Sequence, residues 1–260
     1  LGDVYKRQIV RRSSAITTAV SLKNNYFEVP GFDAGSPTAD VVNNIKQLTY
    51  EAIIRVNNFK TDEFPKKDIA TIMGIEQYCL FRIGDAGFPL QQLQFSSPGE
   101  NKFPNADTGK LLQPSEWYHV AVVYDTEKKT AVIYVDGREQ SRIEDYGNSE
   151  PVNLGKQTRG SDFMFKIGHS YGEPDYMERQ LDGEICEVRV WNVARSQQEI
   201  FDNMYNIEDP ANTPGLQAYW KFNEGEGDIA KDYTGHGNDA KSYAKATWPT
   251  GIEVTQKNKE

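Results

Sequence analysis

Apolar and polar residues alternate with a period of two along much of the chain. In "LTYEAIIRVNNF", Leu48, Tyr50, Ala52, Ile54 and Val56 fall on one face. Thr49, Glu51, Arg55 and Asn57 fall on the other, with Ile53 the exception. Successive strand side chains point to opposite faces, so this pattern predicts a half-buried strand. "WYHVAVVYD" (117–125) is apolar on both faces and predicts a central strand. "TAVIYVDGREQ" (130–140) follows the polar turn "TEKK". Its Asp136-Gly137 pair predicts a two-residue hairpin turn, because Gly tolerates the positive φ such turns require. "DFMFKIGHS" (162–170), "EICEVRVW" (184–191) and "LQAYWKF" (216–222) predict further strands. Gly, Pro, Asn and Asp clusters such as "SSPGENKFPNADTG" and "SYGEPDY" predict loops between them.

One short helix is expected near 197–206. In "ARSQQEIFDNMYN", Ser196 is the N-cap and Glu199 follows three residues on. That is a capping box, in which each side chain satisfies a free backbone N–H at the helix start. Ile200 and Met204, extended by Ile207, form an apolar stripe, and Pro210 stops continuation. Many strands, one short helix and long loops predict an all-β fold: an antiparallel two-sheet jelly-roll sandwich. Residues 1–20 are expected to be an N-terminal linker, 21–245 the sandwich and 246–260 a C-terminal tail. No internal repeat divides the chain.

Composition narrows the function classes. The 260 residues carry a net charge of −9, which disfavours nucleic acid as a partner, since its phosphates call for a basic stripe. No run of apolar residues is long enough to span a membrane. Fourteen Tyr, twelve Phe and four Trp suit strands, and they also suit flat sugar-binding surfaces. The opening "LGDVYKRQ" has no initiator Met and no signal-peptide core. It looks like translated adapter sequence and is set aside, and the chain is expected to be a piece of a longer protein. Cys79 and Cys186 lack metal-finger spacing and leave two readings open, buried thiols or a disulfide.

Three segments carry a family likeness. "EWYHVAVVYDTEKKTAVIYVDGREQ" resembles the W-x-H-V-A…Y-V-D-G hairpin of laminin-G-like domains. "LDGEICEVRVWNVARSQQEI" resembles their G-x-I-D-E-V-R-I-W strand with the helix that follows. "GLQAYWKFNEGEGDIAKDYTGHGNDA" resembles their Y-W-x-F-x-E-G-x-G…D-x-S/T-G-x-G-N segment. The resemblance implies the concanavalin A-like lectin/glucanase superfamily, in its laminin-G-like and pentraxin-like branch. It is similar to domains of secreted and surface proteins of gut Bacteroidetes. There such a domain often follows a small β-sandwich domain and a lipoprotein anchor, so an N-terminal partner domain is expected. In many relatives the Y-W-x-F segment opens the domain, whereas here it closes it. "LQAYWKF" is therefore expected to pair near the strand containing "NNYFEVP".

The candidate chemistry follows. Retaining glucanases of this superfamily place E-x-D-x-E on one strand, so that two carboxylates share a face and flank one glycosidic bond. Here Glu184 and Glu187 are three apart, which predicts opposite faces, and Cys186 stands at the central position. Catalysis by that route is not expected. None of His119, His169 and His236 accompanies a nucleophile elbow. The "GHG" of "DYTGHGNDA" lacks the Lys and the following apolar helix of a phosphate loop. Calcium, as a structural cofactor, fits that segment better, since it takes hard oxygens from a sharply turned loop. Asp232, the carbonyl near Gly235 and Asn238 are candidate ligands there, and the resemblance adds Glu187. A metal-free turn held by Asx hydrogen bonds remains the alternative.

A ligand is expected at rim loops or on the concave sheet. "HSYGEPDYMERQ" offers Tyr171 and Tyr176 for stacking on sugar C–H faces. Glu173, Asp175 and Arg179 could bind hydroxyls. Tyr78, Arg82 and Trp248 are the further candidates, although loop tyrosines also serve simply to pack a loop. The leading expectation is a non-catalytic binding domain, extracellular or on the outer-membrane surface, with a glycan or glycoprotein as partner. The alternatives are a glycoside hydrolase and an adhesion or spacer module without a sugar site.

Overall fold

The computed structural model describes residues 15–33, 35–60, 69–85, 88–97, 112–155, 163–170, 179–254 and 256. Two antiparallel sheets of seven strands each, numbered in chain order, face one another across these residues. The first holds β1 (Val20–Ser21), β3 (Gln47–Asn58), β7 (Trp117–Asp125), β8 (Thr130–Val135), β9 (Arg138–Ile143), β11 (Asp182–Trp191) and β12 (Leu216–Trp220). Its order is β1-β11-β3-β7-β8-β9, and β12 also pairs with β11. The second sheet holds β2 (Phe27–Glu28), β4 (Ala70–Ile75), β5 (Cys79–Ile83), β6 (Leu93–Ser96), β10 (Lys166–Ile167), β13 (Ile229–Ala230) and β14 (Ala240–Ser242). Its order is β13-β14-β2-β10-β4-β5-β6. The expected all-β jelly-roll-like sandwich is what forms.

The period of two explains the core. Leu48, Tyr50, Ala52, Ile54 and Val56 of β3 face inward, with Val120, Val122 and Tyr124 of β7 beside them. Phe27, Phe81, Phe95 and Ile167 meet them from the second sheet. The other face of β7 explains why "WYHVAVVYD" is apolar throughout. Ala121 and Val123, with Val132 and Tyr134 of β8, pack under Ile200 of the helix α1 (Gln197–Asp202). That helix is shorter than expected, but its capping box is complete: Ser196 Oγ accepts from Glu199 N, and Glu199 accepts from Ser196 N. The Asp136-Gly137 turn joins β8 to β9 with φ of 50° and 70°, the double positive φ of a type I′ hairpin.

Three expectations are resolved differently by the tertiary structure. "LQAYWKF" does not pair with the "NNYFEVP" strand. β12 pairs with β11, Trp220 opposite Val188, while β2 lies in the other sheet between β14 and β10. The two segments meet through side chains across the core, where Phe27 and Phe222 pack edge-to-face at 4.9 Å. Cys79 and Cys186 sit in opposite sheets, and both are free and buried, which removes the disulfide alternative. Glu184 and Glu187 do not point to opposite faces. β11 advances from Cys186 to Arg189 while β3 advances only from Ile53 to Glu51. This β-bulge inserts one residue, with Glu187 at φ 54°. Glu184 bonds to Arg55 and Asn57, and Arg189 bonds to both Glu51 and Glu187. Glu51, Arg55 and Asn57 share a face of β3, so both acids lie on the outer side of the first sheet.

The chain beyond residue 245 continues along the sandwich. Ser21 N donates to the Thr247 carbonyl, and Val254 bridges to Ile16 and is buried.

Candidate functional site

The "DYTGHGNDA" turn is built around one carboxylate. Asp232 Oδ1 accepts from the backbone N–H of Tyr219 at 3.2 Å and of Thr234 at 3.0 Å. Its Oδ2 accepts from Asn238 N at 3.1 Å, and the Thr234 hydroxyl reaches both oxygens. Asn238 in turn accepts the Trp220 indole N–H at 2.8 Å through its carbonyl. His236 Nδ1 donates to the Gln217 carbonyl at 2.9 Å, so that nitrogen carries the proton. Gly235 and Gly237, each at φ 81°, let the chain bend tightly enough for these bonds to close. Of the expected metal ligands, Asp232, Gly235 and Asn238 are thus brought into one turn. Glu187 is held elsewhere, by Arg189 at 2.6 Å and by the Tyr219 hydroxyl. N–H and O–H donors already occupy both Asp232 oxygens, and a cation there would have to displace them. Among the described residues no group of three or more His, Cys, Asp or Glu is arranged to hold a metal ion.

A second polar constellation lies on the outer face of the second sheet. Thr71, Arg82 and Gln94 are register neighbours across β4, β5 and β6. Each alternates with inward apolar residues, as Arg82 does between Phe81 and Ile83. Arg82 Nε donates to Gln94 Oε1 at 3.2 Å, and its Nη2 reaches Asp85 at 2.5 Å. Burial pulls the Arg82 guanidinium below its ordinary value, and the neighbouring Asp85 and Glu76 charges oppose that pull. Arg179 makes a forked contact from one nitrogen to both oxygens of Glu76, at 3.0 and 3.1 Å. Thr71 Oγ1 and Gln94 Nε2 are buried and have no hydrogen-bond partner.

This face gathers two of the expected ligand residues, Arg82 and Arg179. Tyr171, Glu173, Asp175 and Tyr176 lie outside the described residues. Tyr78 belongs to the core cluster, and its hydroxyl accepts from Asn153 N at 2.9 Å. Trp248 packs against the core and donates its indole N–H to the Gly227 carbonyl at 3.0 Å, docking the last part of the chain. Sequence reasoning did not single out Thr71, Glu76 or Gln94. The available signal was a polar residue recurring at period two inside otherwise apolar strands.

The outer face of the first sheet carries a buried charge network. Glu51 accepts from His119 Nε2 at 3.0 Å and pairs with Arg195 at 3.1 Å and Arg189 at 3.3 Å. Burial alone would raise the Glu51 carboxyl. The hydrogen bond from His119 and the positive charges of Arg189 and Arg195 outweigh it and hold the carboxyl at about 2. Arg195 stacks 3.9 Å over the Trp191 ring. Each arginine of this network is paired with a carboxylate, and the geometry is that of a structural brace, although His119 Nδ1 and Arg189 Nε have no hydrogen-bond partner.

The sandwich, its hairpin and its capped helix define a lectin-like β-sandwich. The profile of the concanavalin A-like lectin/glucanases superfamily, in its laminin-G type, matches residues 30–201, and the chain belongs to that superfamily. Among solved structures, it is similar over 94% of its length to a candidate carbohydrate binding protein from Bacteroides ovatus, at 31% identity and a TM-score of 0.73. The chain spans 63% of that protein's length. A heptameric SAP-like pentraxin from Limulus polyphemus is similar at 12% identity and a TM-score of 0.52. That match covers 71% of this chain and 80% of the pentraxin, and it is a likeness of fold alone. No curated protein matches the chain. Among the described residues no helix is long and apolar enough to cross a membrane.

Proposed function

We propose that the chain is a non-catalytic carbohydrate-binding domain of a secreted or cell-surface bacterial protein. Its glycan or glycoprotein ligand is taken on the outer face of the second sheet. The observation that carries this reading is the Thr71–Arg82–Gln94 row, where Arg82 is flanked by Thr71 Oγ1 and Gln94 Nε2, two polar atoms without a hydrogen-bond partner. Unspent buried polar atoms are costly, and because Thr71 and Gln94 are fully buried that cost is relieved by ordered water lying between them and a ligand on the accessible edge. Arg179 and Asp85 form the partly accessible edge of the same face. The 31% identity to the Bacteroides ovatus protein supports the ligand class. On the first sheet Glu184 and Glu187 share a face, but each is tied to an arginine, which argues against their use as an acid and nucleophile pair.

A glycan array probed with the full chain tests the reading. Binding that is lost in Arg179→Ala supports it. Absence of any glycan signal overturns it in favour of a spacer module, and release of reducing sugar from a polysaccharide panel overturns it in favour of a hydrolase. The turn at Asp232 works in this reading as a hydrogen-bonded clamp without calcium. A melting temperature that falls when EDTA is added to a calcium-loaded sample would overturn that part alone.

A further inference from the structure

The bulge in β11 aims Glu187 into a polar cavity of about 260 Å³ on the far side of the molecule from the Arg82 face. Ala15–Thr18 forms one wall, and Tyr205, Asn206, Lys221 and Asn223 form the rest. The local structure follows from the bulge. Glu187 N donates to the Lys221 carbonyl at 3.3 Å, so the extra residue is stitched to the end of β12. The entry segment is held by the Ile16–Val254 bridge. Glu187 is 5% exposed. Its Oε2 accepts from Arg189 and from the Tyr219 hydroxyl, while Oε1 makes no hydrogen bond.

The remaining lining groups are oriented by their own partners. Lys221 Nζ can only donate, and it reaches Asn206 Oδ1 at 3.2 Å, which leaves the Asn206 amide N–H₂ unspent. Asn223 Oδ1 accepts from the Tyr233 hydroxyl at 3.0 Å and likewise leaves its N–H₂ unspent. The pocket therefore offers one nearly buried acceptor at its base and amide and ammonium donors at its exposed rim. An apolar occupant would leave the nearly buried Glu187 Oε1 unpaired, at a cost. An anion would meet the Glu187 carboxylate. A neutral sugar ring matches, because each of its hydroxyls both donates and accepts. The volume lies below the range typical of drug-sized ligands, which suits a single small ring.

We infer that this cavity is a second, small ligand site that takes one neutral sugar unit, with its hydroxyls bonded to Glu187 Oε1, Lys221 and the amides of Asn206 and Asn223. This site is independent of the Arg82 face and stands or falls separately from it.

Titration of the ¹⁵N-labelled full chain with free D-glucose, D-galactose and D-mannose tests it by NMR. The expected result is saturable shifts of the Asn206 and Asn223 side-chain amides with at least one of the three sugars. Lys221→Ala and Asn223→Ala should each weaken that binding about tenfold, with an unchanged melting temperature showing that the fold is kept. Both changes are at accessible positions, so the readout does not depend on disturbing the buried network. Shifts confined to Arg82, Gln94 and their neighbours would overturn this inference and leave the proposed function standing. No shift anywhere at high sugar concentration would overturn it as well.

Discussion

Glu51 and His119 lie 3.0 Å apart on the neighbouring strands β3 and β7, and both side chains are completely buried. Two arginines, Arg189 of the neighbouring strand β11 and Arg195 of the segment that follows it, pair with the carboxylate. The first sheet is thus pinned to the segment that follows β11 by charges that have no access to water.

This arrangement has an acid signature. The Glu51 carboxyl is held at about 2, against an ordinary 4.5. A carboxyl depressed in the folded state contributes stability that is present above its unfolded pKa and lost as pH falls through the folded one. Denaturant melts should therefore show a Glu51 contribution that is complete above about pH 4.5 and disappears toward about pH 2. Glu51→Gln should cost about 3–5 kcal/mol at neutral pH, because it leaves the buried Arg195 without its carboxylate partner and Arg189 with Glu187 alone. Its acid limb should be flatter than that of the parent. An equally steep limb in the variant would show that Glu51 is not the titrating group.

The Asp232 clamp predicts a large local cost. Asp232→Ala leaves the N–H groups of Tyr219, Thr234 and Asn238 without an acceptor. Each stranded buried donor costs about 1–3 kcal/mol, and the sum is not additive, so a loss of at least about 3 kcal/mol is expected. Asp232→Asn keeps one oxygen acceptor and should lose less. Chemical denaturation of the two variants ranks them, and an alanine variant as stable as the parent would refute the clamp.

Gly31 and Asn238 should be energetically coupled. A Cβ placed on Gly31 would lie 2.1 Å from Asn238 Oδ1, where no real contact is tolerated. Gly31→Ala alone should destabilise by about 1–3 kcal/mol through overpacking. Combined with Asn238→Ala, the closer of the added methyl's two clashes is relieved while the 2.7 Å approach to Thr38 Oγ1 remains, so part of the cost should be recovered and a double-mutant cycle should give a coupling energy clearly different from zero. Strict additivity would contradict the close approach.

The two thiols should be silent in the native protein. Burial pushes the Cys79 thiol up to about 12, with the neighbouring Tyr50 hydroxyl opposing it, and drives Cys186 well above its ordinary value. A thiol reagent at pH 8 should label neither in native buffer and both in denaturant. Rapid labelling of either residue in the native state would show that its side chain is accessible.

Much of the fold was legible from local pattern. Period-two alternation located β3, a run apolar on both faces located β7, and further apolar strand patterns located β8, β11 and β12. The Asp-Gly turn and the capping box were read correctly because both are satisfied by neighbours within a few residues. Resemblance of three short motifs carried the superfamily. The reading failed where one residue changed the register. The face of Glu187 was misjudged because alternation holds only while a strand keeps its pleat, and a bulge is set by how β11 meets both β3 and β12. Tyr78 looked like a binding residue for a similar reason, since exposure cannot be read from residue type.

The sequence by itself determined the strand pattern, the hairpin, the helix cap and the superfamily, because each depends on contacts close along the chain or on residue order. Only the tertiary structure decided which sheet each strand joined, that Cys79 and Cys186 stay apart, and that Arg82 and Arg179 share a face. It also decided that Glu187 turns toward a cavity walled by residues 15–18 and 205–223. Those outcomes depend on pairings between segments far apart in the chain. Their energies come from packing and charge neutralisation at a distance, to which local periodicity is blind.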